Sequence, residues 1–119
     1  MIGALIRVHR ALGPGLLESA YEACVCRELE LSGFAYERQV PLPLRYRGCD
    51  VDCAYRLDVV VDRTILLELK AVDELTNVHA AQVLTYLKLA RLRVGLLVNF
   101  NVPALRQGLR RFSLPKTSF

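Results

Sequence analysis

The sequence predicts one mixed α/β domain, a sheet with helices packed against it. Three observations carry that expectation. Apolar residues recur at helical spacing near the N-terminus, β-branched runs occupy the middle of the chain, and a helix separates those runs from one further apolar strand. The chain has 119 residues, 53% of them hydrophobic and 24% charged. That is enough apolar material for a core, which excludes wholesale disorder, and a length suited to one domain spanning residues 1–119.

The elements follow in order. Ile2, Leu5, Ile6 and Leu12 predict a helix over Ile2–Leu12, broken by Gly13-Pro14-Gly15. A second helix is expected from about Leu16 to Leu31, stopped by Ser32-Gly33. Val40 to Tyr46 reads as an extended segment whose two prolines suit an edge, and Arg47-Gly48-Cys49-Asp50 as a turn. Tyr55–Val61 and Ile65–Lys70 are β-rich runs separated by Asp62-Arg63-Thr64. Helical spacing returns from Asn77 to about Leu92. Val94–Phe100 reads as a buried strand, Ala104–Leu109 as a short helix, Arg110–Leu114 as a last extended piece and Pro115–Phe119 as a tail.

No run of about 18 apolar residues exists to span a bilayer. The N-terminal apolar run meets Arg7 too soon for the roughly 7–15-residue core of a signal peptide. A cytoplasmic location is expected. The four cysteines fit it as free thiols: Cys24 and Cys26 point apart on a helix, and Cys49 and Cys53 would lie roughly 13 Å apart on extended chain. Neither pair has a chelating C-x₂-C spacing.

The chemistry concentrates where charge interrupts the central strands. Asp58 breaks one apolar run, and Glu68 and Lys70 break the next. Glu68 and Lys70 are two apart and share a face. A two-residue loop at Asp62-Arg63 would oppose Asp58 to Leu67, whereas the three-residue loop Asp62-Arg63-Thr64 opposes Asp58 directly to Glu68. That second register, or a bulge with the same effect, is expected, with both carboxylates on one face; opposite faces would remove the site. A structural ion pair between Glu68 and Lys70 is one reading of these charges. The count leaves one carboxylate over, and opposed like charges destabilise a sheet. A divalent cation held by Asp58 and Glu68 resolves that conflict, because Mg²⁺ commonly takes one or two carboxylates plus water and phosphate oxygens. The residues alone leave both readings open.

Glu18, at the start of the second helix, shares a face with Tyr21, Glu22 and Val25. It serves either the helix dipole or the Asp58–Glu68 site as a third acid. His79, Gln82 and Tyr86 fall within roughly a 60° arc of the later helix, beside its apolar stripe. They are either boundary residues or the lining of a site next to the sheet. Arg91, Arg93, Arg106, Arg110, Arg111 and Lys116 make the C-terminal third basic, a solvated face or a track for phosphates. The net charge of +4 permits nucleic-acid binding without requiring it.

Gly15-x-x-Glu18-x-x-Tyr21 resembles the signature of the GxxExxY proteins, within the PD-(D/E)xK nuclease-like superfamily. The resemblance extends through Tyr55-Arg56-Leu57-Asp58, Leu67-Glu68-Leu69-Lys70, His79-x-Ala81-Gln82-x-x-x-Tyr86 and Val94–Asn101. It implies a restriction-endonuclease-like αβββαβ core with a mixed sheet flanked by helices. It implies that Asp58 and Glu68 ligate Mg²⁺, with Mn²⁺ as substitute and the Leu69 carbonyl as a further ligand. Lys70 would position or activate the attacking water, and Glu18 would be an additional acid. Gln82 and Tyr86 would support the site and contact nucleic acid, with His79 beside them. The function implied is metal-dependent hydrolysis of phosphodiester bonds, in DNA rather than RNA. The alternative is a non-catalytic nucleic-acid-binding or protein-interaction module on the same fold. So small a chain has no separate recognition domain, which points to a homodimer or a protein partner for selectivity.

Overall fold

A computed structural model describes residues 1–51 and 55–119. Two helices open the chain, α1 (Ile2–Leu12) and α2 (Glu18–Leu31). Strand β1 (Tyr36–Pro41) is followed by a small antiparallel hairpin, β2 (Leu44–Tyr46) and β3 (Cys49–Val51). Then come β4 (Arg56–Val61), β5 (Ile65–Lys70), α3 (Asn77–Ala90), β6 (Val94–Asn99), a 3-10 turn at Leu105–Gly108 and β7 (Leu109–Ser113). A last 3-10 turn, Lys116–Ser118, sits in the expected tail.

The main sheet has the order β1-β4-β5-β6-β7. Among the described residues only β5 and β6 pair in parallel, joined by the α3 crossover; the other neighbours are antiparallel. This is the mixed sheet flanked by helices expected of a restriction-endonuclease-like core. One face packs α1 and α2, through Leu5, Val8, Tyr21, Val25 and Leu29, on Val59, Val61, Leu67, Leu69 and Val98. The other packs α3, through Val83, Tyr86 and Leu87, on Leu57, Val60, Leu66 and Leu97. Gly95 lies under α3, where an added Cβ would meet Val83 and Leu87 side chains at 3.2 Å. Among the described residues no helix is long and apolar enough to cross a membrane.

Two expectations change. The first sheet strand is Tyr36–Pro41, and the segment read as one strand over Val40–Tyr46 divides between β1 and the small hairpin. β1 is an edge strand with Glu37, Arg38 and Gln39 exposed, so burial left no alternating apolar signal in it. Helix α2 starts at Glu18 rather than Leu16, because Leu16 and Leu17 belong to the loop that Tyr21 organises. Of the cysteines, Cys24, Cys26 and Cys49 are free thiols, and burial pushes the Cys26 thiol up to about 11. Cys53 lies outside the described residues.

Candidate active site

The β4–β5 turn sets the register. Asp62 and Arg63 both have positive φ, 52° and 57°, as a primed hairpin turn requires. The Thr64 N–H closes it on the Val61 carbonyl at 3.0 Å, and Asp62 exchanges hydrogen bonds with the Ala35 backbone. Thr64 is then the extra residue, so the ladder runs Val61–Ile65, Val60–Leu66, Val59–Leu67. That is the three-residue connection expected, and its next pair is Asp58 with Glu68.

At that pair the strands part. Backbone pairing between β4 and β5 ends at Val59–Leu67, and side chains continue the bonding. The Leu69 N–H donates to Asp58 Oδ2 at 2.8 Å, and the Asp58 N–H donates to Glu68 Oε1 at 3.2 Å. The shared face is corrected, and with it the expectation that opposite faces would remove the site, since side chains that leave opposite faces are still neighbours where the strands part. Leu57 and Val60 belong to the α3 face and Val59 to the α2 face, so alternation breaks at Asp58. The break turns Asp58 toward α2, into a cleft of about 150 Å³ with Glu18, Ser19, Glu22 and Gln39. Glu68 keeps the alternation between Leu67 and Leu69, which pack on the α1–α2 side, so it leaves β5 on the α3 side. The Asp58 N–H bond to Glu68 Oε1, and the Asp58 charge that raises the Glu68 carboxyl, place the two acids beside each other across the gap between the parted strands. Convergence therefore comes from the splay of the strands rather than from a common face.

Strand β1 has the matching irregularity. Arg38 pairs with Val59 and Val40 with Leu57, but Gln39, opposite Asp58, has a φ of 51°. A left-handed non-glycine residue costs about 1–2 kcal/mol. The kink sends Gln39 and its neighbour Arg38 to one buried carboxylate: Gln39 Nε2 donates to Glu22 Oε1 at 2.6 Å and Arg38 Nε to Glu22 Oε2 at 3.0 Å.

Electrostatics mark the parted end. Burial, then the neighbouring Asp58 charge, pushes the Glu68 carboxyl up to about 8. Burial also raises Asp58, helped by Glu22 and Glu18 and opposed by the Leu69 N–H and Lys70. Glu68 is only 3% exposed. Among the described residues no carboxylate lies within ion-pair distance of the Lys70 amine. Its charge still favours ionisation of both acids. A direct Glu68–Lys70 ion pair, the simpler reading of these charges, is therefore not what the geometry contains.

On the α3 side, Gln82 Nε2 donates to the Tyr86 hydroxyl at 2.9 Å. Tyr86 is buried, and burial together with the Glu68 charge raises its hydroxyl pKa. Tyr55 leans on the Tyr86 ring at 6.1 Å. His79 caps α3. Its Nδ1 accepts from the Thr76 N–H at 3.0 Å while Thr76 Oγ1 accepts from the His79 N–H, a reciprocal arrangement at the helix start. Glu18 is exposed at the first position of α2 and lines the Asp58 cleft.

Tyr21 explains why Glu18 sits there. The Tyr21 hydroxyl donates to the Gly13 carbonyl at 2.6 Å and accepts from the Leu16 N–H at 3.1 Å. Its ring stacks on Phe100 at 4.4 Å. The loop between α1 and α2 is thus tied to the core, with Gly13 and Gly15 at positive φ. Sequence reasoning missed Gln39 and the part played by Glu22. Only the face that Glu22 shares with Glu18 pointed to it. It also missed Asn99, which accepts from the Val72 N–H at 3.1 Å and donates to its carbonyl at 2.9 Å, tying the chain after Lys70 to the end of β6.

The donor set fits a small hard cation. Buried Glu68 and half-buried Asp58 lie together, and among the described residues Lys70 is the cation that offsets both; oxygen donors suit Mg²⁺. Among the described residues no group of three or more His, Cys, Asp or Glu is arranged to hold a metal ion, so Glu18 does not complete a three-acid cluster. The family model of the PD-(D/E)XK nuclease superfamily matches residues 1–112. No curated protein and no solved structure matches the chain.

Proposed function

The chain belongs to the PD-(D/E)XK nuclease superfamily, and from that membership we propose that it is a metal-dependent nuclease hydrolysing phosphodiester bonds, in DNA rather than RNA. The observation that carries the reading is the pair of acids at the parted end of the β4–β5 hairpin, buried Glu68 and half-buried Asp58, whose carboxyls are both raised by burial. Superfamily nucleases typically use divalent metals. Asp58 and Glu68, with the Leu69 carbonyl beside them, would hold Mg²⁺ or Mn²⁺. Once bound there, the cation supplies polarisation of the phosphoryl oxygen and neutralisation of developing charge.

The protein's own residues do the rest. Lys70, on the Glu68 side of β5 and free of a direct ion pair among the described residues, orients a water toward the scissile phosphorus, a positioning role. Asp58 is held by the Leu69 N–H, so its carboxylate needs little reorganisation. Gln82 fixes the Tyr86 hydroxyl next to Glu68. That pair supports the acid from the α3 side and presents polar groups to nucleic acid. Glu18 contributes negative charge at the mouth of the Asp58 cleft.

The test is a cleavage assay with Mg²⁺ or Mn²⁺ on single- and double-stranded DNA and RNA. Wild type is expected to cut DNA. Asp58→Ala is expected to lose roughly 10²–10⁴-fold in rate, the worth of several kcal/mol of charge stabilisation. Lys70→Ala is expected to fall with it. A wild type that cuts nothing, or two variants that cut as well as wild type, overturns the reading. Calorimetric titration with Mn²⁺ separates it from a non-catalytic module, which would bind nucleic acid without a metal-binding heat that Asp58→Ala abolishes.

A further inference from the structure

We infer that Arg10 and Arg106 form a clamp for the phosphate backbone of the nucleic-acid substrate, beside the acidic site and built on different elements. The inference rests on the nucleic-acid reading above and adds where the strand is gripped. The topology sets the location. β5 and β6 are parallel with Lys70 beside Asn99, and the Phe100 N–H donates to the Lys70 carbonyl at 2.9 Å. The segment after β6 therefore leaves the sheet at the same end as Lys70. The C-terminal half of α1 is held against that segment, because His9 Nε2 meets the Val102 carbonyl at 2.8 Å and so carries the proton. Between them is a recess of about 300 Å³ whose walls include Ile6, Arg10, Pro103, Ala104 and Arg106, and among the described residues no acid lines it.

Three features suit a phosphate. Both arginines are exposed, and among the described residues neither belongs to an ion pair, whereas Arg7, Arg27, Arg38, Arg45 and Arg63 each do. A guanidinium fork matches phosphate oxygens in two-pronged fashion. The recess is also framed: Leu105 is buried, and the Ala104 N–H is held by Gln107 Oε1 at 3.3 Å. A requirement of charge points the same way. Glu18 and Asp58 bring negative charge to this end of the sheet, so cations there must offset it before a strand can approach. Arg93 and Arg111 do not serve this. Arg93 precedes β6 at the opposite end of the sheet, and Arg111 lines a separate groove there with Ile65 and Val94.

Fluorescence anisotropy with labelled single-stranded and duplex DNA, in EDTA over a range of salt, tests the clamp. Arg10→Ala and Arg106→Ala are each expected to weaken binding and to flatten the slope of log K against log salt by about 0.7–0.9. Arg106→Lys is expected to keep the slope, and Arg93→Ala to leave binding at the wild-type level. Arg10 lies in the last turn of α1, so thermal melts accompany each variant, and the salt slope is read on folded protein. Unchanged slopes in both alanine variants, an equal loss in Arg93→Ala, or no binding by wild type overturns the clamp. A Mg²⁺ arm keeps the two proposals apart. Cleavage without the slope change removes the clamp and leaves the nuclease, and the slope change without cleavage does the reverse.

Discussion

The two ends of the β4–β5 hairpin are made by the same strands and follow opposite rules. At the turn end Val59, Val60, Val61, Leu66 and Leu67 are buried, and the ladder is regular. At the other end the ladder stops, Asp58 and Glu68 take over its hydrogen bonds, and both carboxyls resist ionisation. Apolar burial holds the strands together at one end. Acids that burial keeps from ionising gather at the other. The difference teaches that this protein separates stability from chemistry along one hairpin, over a few residues.

The largest effects should break that division most clearly. Leu67→Ala is expected to lower unfolding stability by about 2–5 kcal/mol through lost burial and a cavity, while leaving cleavage per folded molecule near wild type. Asp58→Ala is expected to do the reverse, abolishing cleavage with a smaller change in the melt. Parallel melts and assays check the pair. Equal damage to both properties by either variant would end the distinction.

A pH series sharpens it. In the folded chain Glu68 is raised from 4.5 to about 8, so the native state holds its proton more tightly than the unfolded chain does. Its favourable contribution is therefore complete below about pH 4.5 and is lost as pH rises through about 8. Asp58, also raised, acts in the same direction. Metal-free protein is expected to lose on the order of a few kcal/mol across that window. Glu68→Gln is expected to flatten the dependence in urea unfolding, and Mn²⁺ to restore stability at high pH only in wild type.

Smaller effects probe the supports of the parted end. Tyr21→Phe removes two hydrogen bonds to the α1–α2 loop, for an expected loss of about 1–3 kcal/mol. It should also loosen Glu18, which hydrogen exchange at Leu16 would register as faster exchange. At His79 the expected change is smallest. His79→Ala should remove part of the α3 cap, worth about 0.5–2 kcal/mol, whereas His79→Gln should retain it. If His79→Gln weakens DNA binding at an unchanged melting temperature, the histidine has a second role beyond the cap.

Much of this was legible in the chain. The charged residues inside apolar strands, Asp58, Glu68 and Lys70, stand out because burial makes such residues rare without a reason. Asp62-Arg63-Thr64 carried the register. What escaped was irregular or polar. β1 hides because an exposed edge strand needs no alternation, and the left-handed Gln39 cannot be foreseen from a residue that ordinarily avoids that conformation. The shared face failed for the same reason. Alternation is a property of regular strands, and the site sits where regularity ends.

By itself the sequence determined the order of elements, the apolar faces that join them and the residues that bring charge into the central strands. These depend on local periodicity and turn chemistry, which a linear chain carries in full. Only the tertiary structure decided that the carboxyls converge across a gap rather than on a face, and that Glu22, Gln39 and Arg38 meet behind them. It also decided that the C-terminal arginines, close together in the chain, divide between the two ends of the sheet. Those outcomes depend on where strands part and how elements distant in sequence stack, and no local pattern encodes either.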